Sequence, residues 1–191
     1  MTIMDDADSE LNPFKITASR SVYENNWIHV IEHNVISLRG TPGIYGVVKF
    51  KNRAVGVVPY ENGEIWLVGQ YRLPLDLYSW EIPEGGSPFD EDLEATARRE
   101  LREETGLVAS SVELILEMHL SNSASDEYAA IFLAQGLTEG PAAPEETEQL
   151  KLRKVLLTDA YRLVGEGEIT DSLSVACILK LMLMRHEGKL R

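Results

Sequence analysis

Glu84-Gly-Gly-Ser-Pro-Phe-Asp-Glu-Asp-Leu-Glu-Ala-Thr-Ala-Arg-Arg-Glu-Leu-Arg-Glu-Glu-Thr-Gly-Leu107 is the stretch on which the reading of this chain turns. Its composition predicts a helix. Ser87 can cap, Pro88 fits a first turn, Asp90 complements the positive end of the dipole, and Gly106 is a suitable stop. The expected helix therefore starts at Pro88 or Glu91 and ends at Thr105. With Glu100 as zero on a wheel of ~100° per residue, Leu93 falls near ~20°, Glu104 near ~40°, Ala97 near ~60° and Leu101 near ~100°. Glu103 lies near ~−60° on the same wheel, while Glu91, Ala95, Arg98 and Arg102 take the opposite side. An ordinary solvated helix held by i,i+4 pairs accounts for Glu94 and Arg98. It does not account for Glu100 and Glu104, which share the azimuth of the apolar stripe. Half-buried carboxylates that repel one another are costly unless paired or bound to cations. Carboxylates at i, i+3 and i+4 converge within reach of hard divalent ions, and Mg²⁺ suits such all-oxygen ligands.

Working outward, a clear hairpin precedes this stretch: Ala54 to Tyr60, the turn Glu61-Asn62-Gly63, then Ile65 to Val68. Asn-Gly accepts the positive φ angles that a tight hairpin demands. Strand-like runs fill residues 16–50, with Gly40, Pro42 and Gly43 marking a turn. After the helix, strands are expected near Val112–His119, Tyr128–Leu133 and Lys151–Leu157, and helices from near Thr158 and Thr170. The last helix places Leu173, Ala176, Cys177, Leu181 and Met184 on one arc, interrupted by Lys180. A Gly-, Pro- and Glu-rich loop spans residues 136–148. The layout is α+β, or a sandwich of helices around a mixed sheet.

Of 191 residues 44% are hydrophobic, enough for one substantial core or a main domain with a small companion. No apolar run is long enough for a membrane span, and the acidic N-terminus lacks a signal peptide's layout. Cys177, the single cysteine, is expected as a buried helical thiol suited to a reducing cytoplasm. A formal charge of −13 disfavours nucleic-acid backbones, and would repel a small phosphorylated substrate unless cations intervene.

Gly85, five residues, Glu91, seven residues, and then Arg99-Glu100-Leu101-Arg102-Glu103-Glu104-Thr105-Gly106-Leu107 resembles the complete Nudix box. The resemblance implies a Nudix α/β/α sandwich with a mixed central sheet, and a hydrolase that cleaves nucleoside diphosphates linked to another moiety. It implies Mg²⁺ or Mn²⁺ as cofactor. Glu100, Glu103 and Glu104 would be metal ligands, a backbone carbonyl beside Gly85, from Glu84, would add another, and Arg99 would hold the glutamates by ion pairing. Glu91 would brace the loop. Bound ions would neutralise diphosphate charge and lower the pKa of a bound water.

Outside the box, Val22-Tyr-Glu-Asn-Asn-Trp27, Gly56-Val-Val-Pro-Tyr60, Val68-Gly-Gln-Tyr-Arg-Leu-Pro74, Trp80-Glu-Ile-Pro-Glu-Gly-Gly86 and Ser125-Asp-Glu127 resemble the ADP-ribose and nucleoside-diphosphate-sugar pyrophosphatase branch. That resemblance implies a small N-terminal antiparallel sheet and a homodimer with shared active sites. It divides the chain into a flexible leader (1–15), a sheet arm for dimerisation (16–50) and a catalytic domain (51–191). Trp27 is the candidate to stack on the base, Arg72 to contact diphosphate or ribose, and Glu127 to accept from substrate hydroxyls. Glu148 or Glu146 is the candidate general base, in an acidic loop after the box. ADP-ribose-specific members place a proline beyond the box where this chain has Asn122, so GDP-mannose and other nucleotide sugars stay open. Competing readings are a Nudix hydrolase of dinucleotides or other nucleotide conjugates, and a noncatalytic nucleotide sensor. The intact glutamates speak against the sensor, and no EF-hand loop supports a calcium site.

Overall fold

The computed structural model describes residues 11–140 and 150–190, in two units. The smaller comprises the chain up to Lys51 together with Ser121–Asp126. It is an antiparallel meander of β1 (Phe14–Glu24), β2 (Ile28–Ser37) and β3 (Pro42–Phe50). Gly40, at φ 79°, makes the β2–β3 turn. The segment 121–126 ties onto β3. Val48 N–H donates to the Ala124 carbonyl at 2.8 Å, Phe50 N–H to Asp126 at 2.9 Å, and Tyr45 Oη to the Ser123 carbonyl at 2.8 Å. Among the described residues no helix lies across these three strands, and they do not close a core of their own. Phe14, Ile16, Val22, Tyr23 and Ile44 are exposed, and Val35 is the buried apolar side chain of this sheet.

The larger unit, Asn52–Leu120 with Glu127–Arg191, holds a seven-stranded mixed sheet. Its strands are β4 (Arg53–Glu61), β5 (Glu64–Arg72), β6 (Leu77–Glu81), β7 (Glu84–Ser87), β8 (Leu107–His119), β9 (Tyr128–Glu139) and β10 (Lys151–Leu156). The main path runs β10-β5-β4-β9-β8, with β6 on β5 and β7 on β4. β4 and β9 run parallel; the other pairs are antiparallel. The hairpin at 61–64 forms as expected, with Asn62 at φ 52° and Gly63 at φ 87°. These left-handed angles match the twist of the flanking strands.

Both faces of the sheet are covered, so β4 and β9 read as near-continuous apolar runs. On one face Val55, Val57, Ala130 and Phe132 pack against Ala97 and Leu101 of α1 (Leu93–Thr105). On the other, Val58, Ile65, Leu67 and Leu133 meet α2 (Leu157–Gly165) and α3 (Ser172–His186) through Leu157, Leu163, Leu173, Ile178 and Leu181. This is an α/β/α sandwich. Cys177 lies fully buried in the second layer, where burial pushes its thiol pKa up. Among the described residues, no helix is long and apolar enough to cross a membrane.

The start of α1 differs from expectation. Asp92, not Ser87, is the N-cap, its carboxylate accepting from Ala95 N–H at 3.0 Å. Ser87 and Pro88 cannot open the helix because β7 extends through Ser87, which is fully buried opposite Arg53 of β4. Strand pairing outcompetes the cap, and residues 88–92 become a connecting loop.

Candidate active site

The loop between β7 and α1 and the C-terminal half of α1 bring the signature residues together. Once Asp92 sets the phase, Thr96, Ala97, Glu100, Leu101 and Glu104 turn inward and are buried. Glu100 and Glu104 are 8% and 9% exposed; Glu103 is half-buried. Outward-facing Arg98 pairs with Glu94 at 2.8 Å, as their i,i+4 spacing predicts.

Arg99 is the hub of the cluster. Its Nη1 reaches Glu100 at 2.6 Å and Glu103 at 3.0 Å. Its Nη2 donates to the Gly86 carbonyl at 3.1 Å and contacts Glu91 at 3.5 Å. Burial works against this guanidinium's charge, but Glu100, Glu91 and Glu103 outweigh it and raise its pKa. The β7 backbone lies against the same carboxylates. Glu84 N–H donates to Glu104 at 3.0 Å, and the Glu100 carboxylate fills the space a side chain at Gly85 would need.

A second group adjoins this one through Glu84. Arg72, at the end of β5, forms ion pairs at 2.5 Å with Glu81 and with Glu84. Asp171 comes up beside them as the N-cap of α3, accepting from Ser174 N–H at 2.8 Å. The Ser174 hydroxyl in turn accepts from Ile82 N–H at 2.8 Å, pinning the helix to the β6–β7 corner. Carboxylate oxygens of Glu81, Glu84 and Asp171 all lie within 4.8 Å of one another. With Arg72, Pro74, Leu75 and Ser79 they line a cavity of about 180 Å³. Burial raises the Glu84 carboxyl pKa well above its usual value; the charges of Asp171 and Glu81 add to this, against the pull of Arg72. Arg72 itself is held above its ordinary value by Glu81 and Glu84, although burial opposes it. Three carboxylates against one guanidinium make this a pocket short of positive charge.

The expected residues are thus distributed as follows. Glu84, Arg99, Glu100, Glu103 and Glu104 gather around α1, and Arg72 joins them through Glu84. Glu127 lies just before β9, half-buried, its carboxyl pKa raised by desolvation. Trp27 belongs to the smaller unit, in the β1–β2 turn, with its backbone N–H on Asn25 Oδ1 at 2.8 Å and the residue 65% exposed. Glu146 and Glu148 lie outside the described residues, as do residues 1–10 of the expected leader. Sequence reasoning missed Glu81 and Asp171. A usable signal existed for each: a lone Glu between Trp80 and Ile82 in a strand, and Asp171-Ser172 at a helix start.

The NUDIX domain model matches residues 50–171. An ADP-ribose pyrophosphatase of Bacillus subtilis (strain 168) is 30% identical over 88% of this chain and 92% of its own length. An ADP-ribose pyrophosphatase of Mycobacterium tuberculosis (strain ATCC 25618 / H37Rv) is 36% identical over 66% of this chain and 63% of its own. A crystal structure of an ADP compounds hydrolase superposes with a TM-score of 0.85 at 19% identity, covering 95% of this chain and 99% of that one, a likeness of fold. The inward glutamates of α1, the loop that precedes them and the family match together establish that this chain belongs to the NUDIX family of hydrolases.

Proposed function

We propose that the protein is a Mg²⁺-dependent pyrophosphohydrolase of nucleoside diphosphate sugars, releasing a nucleoside monophosphate and a sugar phosphate. The observation that carries this reading is the burial of Glu100 and Glu104 beside the Glu84–Gly85 backbone. The donor set suits a hard divalent cation: carboxylate oxygens with a peptide carbonyl close by, in a unit otherwise built on apolar layers. Glu100, Glu103, Glu104 and the Glu84 carbonyl would hold it. A divalent ion there would neutralise diphosphate charge and polarise phosphorus toward water. Arg99 keeps the glutamates grouped before any ion arrives. Among the described residues the ion pairs of Arg72 use Nε and Nη2, which leaves Nη1 for a phosphate oxygen.

ADP-ribose heads the substrate list, because two relatives carry that activity in their names. Asn122 and a GDP-mannose pyrophosphatase relative, 26% identical over 60% of this chain, keep other nucleotide sugars beside it. Glu127 is our candidate for the substrate hydroxyls, and Glu146 or Glu148 for the base that takes the proton of the attacking water. The test is a hydrolysis screen of ADP-ribose, GDP-mannose, UDP-glucose, NADH and dinucleoside polyphosphates, with and without Mg²⁺. The expected result is the highest kcat/KM on a nucleotide sugar and none without metal. Preference for a dinucleoside polyphosphate would overturn the substrate class.

The small sheet is proposed as a dimerisation arm, since it leaves Phe14, Ile16, Val22, Tyr23 and Ile44 uncovered. Trp27 is then the base-stacking candidate, supplied by the partner copy. Light scattering should give twice the chain mass at micromolar concentration; a clean monomer would count against the arm and the shared pocket. The reducing cytoplasm expected from Cys177 belongs to the same proposal.

A further inference from the structure

Arg53 stands at the start of β4, outside the signature and among none of the residues that the sequence singles out. Its partner across the ladder is Ser87, so its side chain runs alongside the loop that leads into α1. There one nitrogen, Nη2, donates to the Pro88 carbonyl at 2.8 Å and the Glu91 carbonyl at 2.5 Å, and also reaches Ser87 Oγ at 3.2 Å. The ring of Phe89 lies over the guanidinium, 5.9 Å from Cζ to the ring centroid. Nε, by contrast, is buried without a partner among the described residues. A buried donor left unpaired is unfavourable, so the loop acceptors at Nη2 decide how this side chain is oriented.

The residues that Arg53 grips matter because of what they hold in turn. The Glu91 carboxylate contacts Arg99, and Arg99 carries Glu100, Glu103 and the Gly86 carbonyl. The loop has no regular hydrogen-bond ladder between Ser87 and Asp92, apart from a turn in which Glu91 N–H meets the Pro88 carbonyl at 3.1 Å. Its two ends are held independently, by the β4–β7 pairing and by the Asp92 cap. Its middle is held by Arg53 on one side and Arg99 on the other. The guanidinium sets Nη2 in a plane that also faces the Phe89 ring; a lysine ammonium is a compact, mobile point charge with no such plane.

We propose that Arg53 is a positioning residue for the metal site: it fixes the 87–91 loop, and through Glu91 and Arg99 it sets the placement of Glu100 and Glu103. The inference rests on the reading of those glutamates as metal ligands. Its test is Mn²⁺ binding to the substrate-free protein, followed by paramagnetic resonance of the free ion, for wild type, Arg53→Met and Arg53→Lys. Circular dichroism at the same temperature restricts the comparison to folded protein. Arg53→Lys, which keeps the aliphatic stem and the charge, provides a folded variant should Arg53→Met not fold. We expect the Mn²⁺ dissociation constant to rise about tenfold in Arg53→Met and at least threefold in Arg53→Lys. At saturating Mg²⁺, kcat should fall with KM within twofold of wild type. Wild-type Mn²⁺ affinity in the folded variants would overturn the role of Arg53 while leaving the metal reading intact. Failure of the wild type to bind Mn²⁺ would overturn both.

Discussion

A Cβ at position 85 would sit 2.1 Å from Glu100 Oε1 and 2.2 Å from its Cδ. Glycine is required there by the close approach of backbone and carboxylate, not by a left-handed φ. The obstructing atoms are the end of a flexible side chain, so a larger residue would push the carboxylate aside and leave the core in place. Gly85→Ala should therefore lower kcat on the order of 100-fold, the penalty for misplacing a reacting group by about 1 Å. Its melting temperature should move little. Unchanged kcat would mean that Glu100 does not work from this position. The same residue-by-residue view explains which side chains were legible in the sequence. Glu100 and Glu104 stood out because a charge on an apolar azimuth is locally anomalous. Arg53 did not, because an arginine at a strand start reads as solvated until its acceptors, 34 to 38 residues away, are known.

At the scale of elements, periodicity and turn chemistry carried most of the reading. The Asn62-Gly63 hairpin and the inward face of α1 depend on neighbours in sequence, and both formed as expected. The start of α1 depends on β4–β7 pairing across 28 to 34 residues, which no local propensity encodes, so Asp92 took the place of Ser87. Asp171 is the longer-range case. It enters the site because Ser174 meets Ile82 N–H across a separation of 92 residues. The cap assignment has a measurable consequence. Asp92→Ala should cost about 1 kcal/mol of stability, as the loss of an N-cap carboxylate usually does. Urea denaturation would show it as a lowered midpoint at constant slope. No loss would return the cap to another residue.

On the scale of the whole molecule, the fold class followed from the mixed order of strands, an inner helix, more strands and terminal helices, and the α/β/α layering follows from strands buried on both faces. The sequence showed the glutamates of α1 but not the second acidic group that adjoins them. A chain of charge −13 places three carboxylates around Arg72 and three more around Arg99, joined through Glu84. Such an arrangement repels a bare diphosphate and accepts one accompanied by divalent cations. Glu104 is proposed as a metal ligand in pyrophosphate cleavage, and substitution by its uncharged isostere isolates that role. Wild type and Glu104→Gln should be incubated with ADP-ribose and Mg²⁺ and the products separated by anion-exchange chromatography, with an EDTA control and circular dichroism on both proteins. Wild type should yield equal amounts of AMP and ribose 5-phosphate, and a folded Glu104→Gln none above the EDTA control. Wild-type turnover by Glu104→Gln would contradict that role.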